Sequence, residues 1–328
     1  MAFGTNKIFT SNANELKKEL IMQDLIKKNG AYIHDRAKTA IADASIAHIT
    51  KTKIFNSNFE LINEKVNQLN FDIFAITLQK KIRVKNFNHF YNLSFDFKFF
   101  DGINGHNKNY NPEDSKYLKN KSINKKFTGA AGCFLSHVKI YEELIRSNKD
   151  FFIIFEDDAV FFDYSNMLLQ LVLFDISLDM DFIYINGRAS ALANIQTYFD
   201  GKEFINSPTE LLTKKEKIDS KILKNIQDIN PDLQKNNFLL PGMDGYVITK
   251  SGAKKIIDFL NSQDYKNIAS FIRIDPLVAR LSSSKKFKLF EDGYLPDKPY
   301  LNSYIVKYPV SHQAQNIGLK IESDIHNI

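Results

Sequence analysis

The chain has 328 residues, 44% of them hydrophobic and 25% charged, with a formal net charge of +6. Those values describe a soluble globular protein with enough apolar material for a sizeable core, in one large domain or two smaller ones. Its single cysteine, Cys133, excludes an internal disulfide framework and a Cys-rich zinc site, and no stretch nears the roughly 20 apolar residues that span a bilayer.

The positive charge is spread without a long basic block, which leaves a nucleic-acid partner possible but unmarked, and none is expected. An anionic substrate or a negatively charged membrane surface fits the balance. The opening MAFGTNKIFTSNANELKKEL lacks a continuous apolar h-region, which argues against a secretory signal. The expectation is a cytoplasmic protein in a reducing compartment, free or peripherally associated with the cytoplasmic face of an inner membrane. Twenty-eight Phe and fourteen Tyr must carry the aromatic burial, because there is no Trp.

Residues 1–70 read as a helical extension. NELKKELIMQDLIKK stops at Gly30, and an Ala-rich RAKTAIADASIAH follows. SNFELINEKVNQL opens with Ser57 and Glu60 at capping-box spacing and sets Phe59, Ile62, Val66 and Leu69 on one helical stripe. With no titratable cluster, this segment reads as a module for packing, tethering or oligomerisation.

From residue 71 the pattern changes to strands alternating with helices. FDIFAITL is a short apolar run, QKKIRVKNF can be helical, and FDFKFF runs into the turn Asp101-Gly102. FFIIF, DFIYI and YVIT read as buried strands, and SGAKKIIDFL reads as a helix with Ser251 at its N-cap. The alternation predicts an α/β fold with a largely parallel sheet, whose functional residues lie at the carboxyl ends of the strands. Residues 188–240, polar and rich in Lys and Asn, interrupt it as an insert, a candidate acceptor-facing lid.

The sequence FFIIFEDDAVFF, residues 151–162, runs a buried strand directly into Glu156-Asp157-Asp158. Adjacent carboxylates repel, and burial without a cation costs each of them stability. Carboxylates at a strand end suit a hard divalent cation such as Mg²⁺ or Mn²⁺. Extended-chain alternation would face Glu156 and Asp158 to one site and turn Asp157 away or onto a neighbouring backbone. A solvated acidic turn has the same composition, but the apolar runs on both sides favour the cation.

GAAGCFLSHVKIYEELI, residues 129–145, sets Phe134, Val138, Tyr141 and Ile145 on one stripe with His137 on its flank. Gly129 and Gly132 would let a backbone approach a ligand closely at the helix start, although the pair matches no P-loop. His137 alone reads as a hydrogen-bonded residue at the core edge, and Cys133 as a small buried one. Asp244 lies between two glycines before YVIT. Asp275 precedes Pro276, where it can cap the following helix. Either carboxylate could also act as a general base toward a sugar hydroxyl.

Taken in order, these stretches resemble glycosyltransferase family 25, which includes bacterial lipooligosaccharide galactosyltransferases and collagen galactosyltransferase domains. FAITLQKKIR is similar to the family's opening strand and basic turn, and FKFFDGING to its second strand and turn. GAAGCFLSHVKIYEEL carries its Gly-Cys-x-x-Ser-His helix and FIIFEDDAVF its Glu-Asp-Asp strand. GMDGYVITKSGAKKI and RIDPLVARL complete the order, and the resemblance spans roughly residues 71–315. One departure is Ile76-Thr77-Leu78, where the family usually has Ile-Asn-Leu.

The resemblance implies a GT-A, Rossmann-like fold and a UDP-sugar donor, usually UDP-galactose. It also implies inversion at the anomeric carbon and a glycan or glycolipid acceptor such as lipooligosaccharide. Mn²⁺ or Mg²⁺ would be held by Glu156 and Asp158, with His312 completing the shell or standing simply as a surface histidine. Donor contacts would come from Thr77, Leu78 and Arg83, from Asp101 and Gly102, from Gly132, Ser136 and His137, and from Asp157. Asp275 would be the base, with Asp244 the alternative. Two other readings fit the residues: a metal-dependent phosphate-ester hydrolase, and an inactive transferase-like interaction protein.

Overall fold

The computed structural model describes residues 55–78, 93–107, 111, 114–123, 127–162, 164–188, 223–225, 242–268, 272–282, 298–306 and 308–314. Residues 1–54, Arg83 with the basic stretch after the first strand, and nearly all of the 188–240 insert lie outside them.

The helices are α1 (Phe59–Asn67), α2 (Thr128–Arg146), α3 (Ser165–Asp175), α4 (Lys250–Asn261), α5 (Gln263–Asn267) and α6 (Ile274–Leu281). The strands are β1 (Phe71–Thr77), β2 (Lys98–Asp101), β3 (Phe151–Glu156), β4 (Ala159–Val160) and β5 (Phe182–Tyr184). They continue with β6 (Leu223–Asn225), β7 (Gly245–Thr249), β8 (Ser303–Val306) and β9 (His312–Gln313). Seven strands form one sheet in the order β2-β1-β3-β7-β5-β8-β6, and β4 pairs with β9 separately.

FFIIF is a central strand, as its apolar run predicts. β3 lies parallel to β1 on one side and antiparallel to β7 on the other. Strands β1, β2, β3, β5 and β8 share one direction; β7 and β6 run against it. The sheet is therefore mostly parallel in direction, with a reversed strand inside it. That reversal carries the start of β7 to the edge where β3 ends: Gly245 pairs with Phe155, and Glu156 N–H donates to Asp244 C=O at 3.3 Å.

Side-chain alternation divides the core between the two sheet faces. Phe151, Ile153 and Phe155 pack on one face with Ile73, Ile183 and Val247. There α1 and α3 cover them through Ile62, Val66, Met167 and Val172. Phe152 and Ile154 pack on the other with Phe74, Tyr184 and Ile248, beneath α2, α4 and α6. Each fully buried Phe of β3 contributes roughly 1.5–3 kcal/mol of hydrophobic stabilisation. Phe71 and Phe151, directly opposite in register, also stack at 5.1 Å.

Three expected caps differ. α1 has Asn58, not Ser57, at its N-cap. α4 starts at Lys250, and the Thr249 hydroxyl, not that of Ser251, accepts from Gly252 N–H because the helix follows β7 without a loop. α6 starts at Ile274 with Arg273 as N-cap, so Asp275 sits inside the first turn and is not the cap. The described end of the predicted extension does not stand apart: Phe55, Ile62 and Val66 belong to the main core. Among the described residues no helix is long and apolar enough to cross a membrane.

Candidate active site at the carboxyl edge of the sheet

The carboxylates Glu156, Asp157, Asp158, Asp244 and Asp275 converge at this edge from three segments. Glu156 ends β3, and Asp157 and Asp158 form a turn before β4. The extended alternation expected across the triplet thus stops at Glu156, because the backbone turns immediately after it. Asp157 meets the neighbouring strand end: its Oδ2 accepts from the Thr77 hydroxyl at 2.8 Å, joining the ends of β1 and β3. Asp158 Oδ2 accepts from Gln313 Nε2 at 3.0 Å, whereas its buried Oδ1 has no partner among the described residues.

Asp244 is fully buried. Arg188 grips its Oδ1 through Nε at 3.1 Å and Nη2 at 2.6 Å, and Asp244 Oδ2 has no partner among the described residues. The third guanidinium nitrogen, Nη1, lies 4.0 Å from Asp275 Oδ2. Gly242 makes room for this arrangement. It has φ +73, and a Cβ there would come within 2.1 Å of the Arg188 guanidinium carbon.

Burial and like charge oppose ionisation here. Glu156 is pushed up to about 8 by burial, then by Asp275 and Asp244, against the opposing pull of Arg188. Asp158 is pushed up to about 8 by burial, Glu156 and Asp244, against its bond from Gln313. Burial also works against the charge of Arg188, but Asp244 and Asp275 outweigh it and raise its affinity for the proton.

His137 and Cys133, one helical turn apart on α2, meet Glu156 from the other side. His137 Nε2 lies 3.4 Å and Cys133 Sγ 3.9 Å from Glu156 Oε1, while His137 Nδ1 lies 2.7 Å from the Tyr246 hydroxyl. Burial lowers His137 to about 4, so near neutral pH the His137–Glu156 contact joins neutral groups.

The remaining predicted donor residues sit on the same edge with structural tasks of their own. Gly102 N–H donates to Thr77 C=O, and Leu78 packs against Gly102. Asp101, in register with Thr77, is exposed. Ser136 Oγ accepts from Ile103 N–H at 2.7 Å and donates to Gly132 C=O at 2.8 Å. A Cβ on Gly132 would lie 2.4 Å from Ile103 O and 2.5 Å from Gly105 N. Its bareness therefore admits the backbone of the loop after β2, where the sequence suggested a ligand.

His312 is buried, not a surface histidine. Its Nε2 faces the Tyr164 hydroxyl at 3.2 Å, its ring meets Phe162 edge-on, and burial lowers it to about 3. It braces the acidic turn through β9, where it pairs with Val160. Arg188 is the site residue that sequence reasoning missed. Its partner Asp244 lies 56 positions away, and no local motif marks the pair.

A mostly unidirectional α/β sheet with carboxylates gathered at its carboxyl edge defines a Rossmann-like class of α/β proteins. The sequence model of Glycosyltransferase family 25 (LPS biosynthesis protein) matches residues 70–275, and the chain belongs to that family. Procollagen galactosyltransferase 1-A of Xenopus laevis is 32% identical over 148 residues, covering 40% of this chain and 24% of the relative. Procollagen galactosyltransferase 1-B of Xenopus laevis is 31% identical over 158 residues, covering 43% and 26%. The matches thus span about a quarter of each relative's length.

Proposed function

We propose that the protein is an inverting, divalent-cation-dependent glycosyltransferase. It would move a hexose, galactose in the first instance, from a UDP-sugar to a glycan or glycolipid acceptor such as lipooligosaccharide. The observation that carries the reading is the set of carboxylates at the sheet edge, with one oxygen each of Asp158 and Asp244 buried and unpartnered among the described residues. Such a set is compensated by a hard cation, and oxygen donors suit Mn²⁺ or Mg²⁺.

Glu156 and Asp158 are the residues that would hold the ion. Asp157 is engaged by Thr77, and His312 by Tyr164. A bound divalent cation would neutralise the negative charge of the departing diphosphate. Asp275 is the better-placed base, since its side chain is 29% exposed while that of Asp244 is 0% exposed and clamped by Arg188. In the transfer step Asp275 takes the proton of an acceptor hydroxyl. The resulting oxygen forms its bond to the anomeric carbon from the face opposite the bond to phosphate, which breaks to release UDP. The procollagen galactosyltransferase names of the relatives favour galactose as the first donor to test.

The test is UDP release from a panel of UDP-hexoses with Mn²⁺ or Mg²⁺ and a glycan acceptor. UDP-galactose should be turned over, and chelation should abolish the activity. Asp275→Asn should lower turnover by about 10²–10⁴-fold while donor binding persists. No binding of any nucleotide sugar in the presence of metal would sink the proposal. Phosphate-ester turnover without sugar transfer would establish the hydrolase instead.

A further inference from the structure

We propose that Cys133, His137 and Glu156 form a second cation site, selective for a thiophilic divalent ion of the zinc class. It would share Glu156 with the cation of the proposed transfer reaction. One ligand atom from each residue lies within 4.8 Å of the others. Cys133 and His137 are four positions apart on α2, so both project from one helix face. The parity of β3 turns Glu156 toward that same face, after Phe152 and Ile154.

The separations suit a tetrahedral ion. Bond lengths of about 2.0 Å to nitrogen or oxygen and about 2.3 Å to sulfur give edges of about 3.3 Å and about 3.5 Å. The observed separations are 3.4 Å for Nε2 to Oε1 and 3.9 Å for Sγ to Oε1, and the thiol and imidazole lie within 4.8 Å of each other, so closure on an ion draws the three side chains together. The far nitrogen of His137 is already held by the Tyr246 hydroxyl, which aims Nε2 at Glu156 in the manner that outer hydrogen bonds orient metal-binding histidines. Cys133 and Glu156 are both partly exposed, which leaves the ion a route in.

Sulfur and imidazole favour zinc over the hard ions that an all-oxygen set prefers. The same carboxylate therefore serves two chemically different cations, and occupancy by zinc removes Glu156 from the other. Zinc binding stands without the transferase reading; inhibition of transfer by zinc rests on it.

Co²⁺ serves as a spectroscopic probe of the site. Titrated into the metal-free protein, it should produce a thiolate-to-cobalt charge-transfer band that Zn²⁺ bleaches and that Cys133→Ser lacks. On the unaltered chain, zinc should also slow the reaction of the single thiol with a thiol reagent, and this assay decides the matter if the variant does not fold. In UDP release driven by Mn²⁺, Cys133→Ser should retain activity while its zinc inhibition weakens by at least about 10-fold, the lower end of what disturbing a metal's surroundings costs. Absence of both the band and the protection overturns the site, and zinc inhibition equal in wild type and Cys133→Ser overturns the shared-carboxylate competition. A band without any UDP release would leave the zinc site standing and remove the transferase reading.

Discussion

At the scale of single residues, Arg188 and Asp244 form a buried ion pair. Breaking a buried pair by removing one partner leaves an uncompensated charge and costs about 3–5 kcal/mol. Arg188 is 27% exposed, so Arg188→Ala should fall near the lower end of that range, read as a shift in the urea midpoint. Arg188→Lys should rescue little, since one ammonium cannot reproduce the two bonds to Asp244 and the approach to Asp275. Gly242→Ala should be destabilised by about 1–2 kcal/mol for its left-handed backbone. It should also displace the guanidinium, so transfer should suffer more than stability. Glu156, Asp157 and Asp158 were legible in the sequence because they interrupt an apolar strand. Arg188 was not, because it stands at the edge of a polar stretch and its meaning comes from a residue far along the chain.

At the scale of elements, β1, β2, β3, β5 and β7 declare themselves by apolar runs, and α2 by its stripe. Strand direction is not declared. The run YVIT reads the same in either sense, yet the reversal of β7 is what delivers Asp244 to the end of β3. Helix α3 also lacks a sequence signal: Ser165 to Leu173 are all buried, so no polar face marks its period. The short β4 and β9 are too brief for alternation to register. Packing of α2 on the loop after β2 rests on Gly132, whose missing side chain faces backbone that cannot yield. Gly132→Ala should force the two apart at a cost of about 1–3 kcal/mol. Thermal unfolding would register the loss, and a variant as stable as the parent would show that the contact is slack.

At the scale of the whole molecule, pH should act through two opposed sets of groups. Folded Glu156 and Asp158 keep their protons up to about 8, whereas unfolded they release them near 4.5 and 3.8, so their contribution falls as pH rises across that window. Folded His137 and His312 stay neutral down to about 4 and about 3, whereas unfolded they protonate near 6.5, so their contribution falls as pH drops below 6.5. The melting temperature of the cation-free protein should therefore rise from pH 8 to 6.5, by about 2–4 °C for each kcal/mol gained, and then level off. Saturating Mn²⁺ should raise it most at pH 8 and release protons on binding. A melting temperature that climbs steadily with pH would contradict this balance. The small sheet of β4 and β9 carries a further consequence, one of timing. Gln313 bonds to Asp158 across 155 positions, and Ala314 N–H donates to Asp158 C=O at 2.9 Å. On a ribosome adding 5–20 residues per second, roughly 8–30 s separate the emergence of the acidic turn from that of its brace. Through that interval the growing chain carries its densest negative charge unfastened, and the centre can be finished only after the rest of the described sheet has been made.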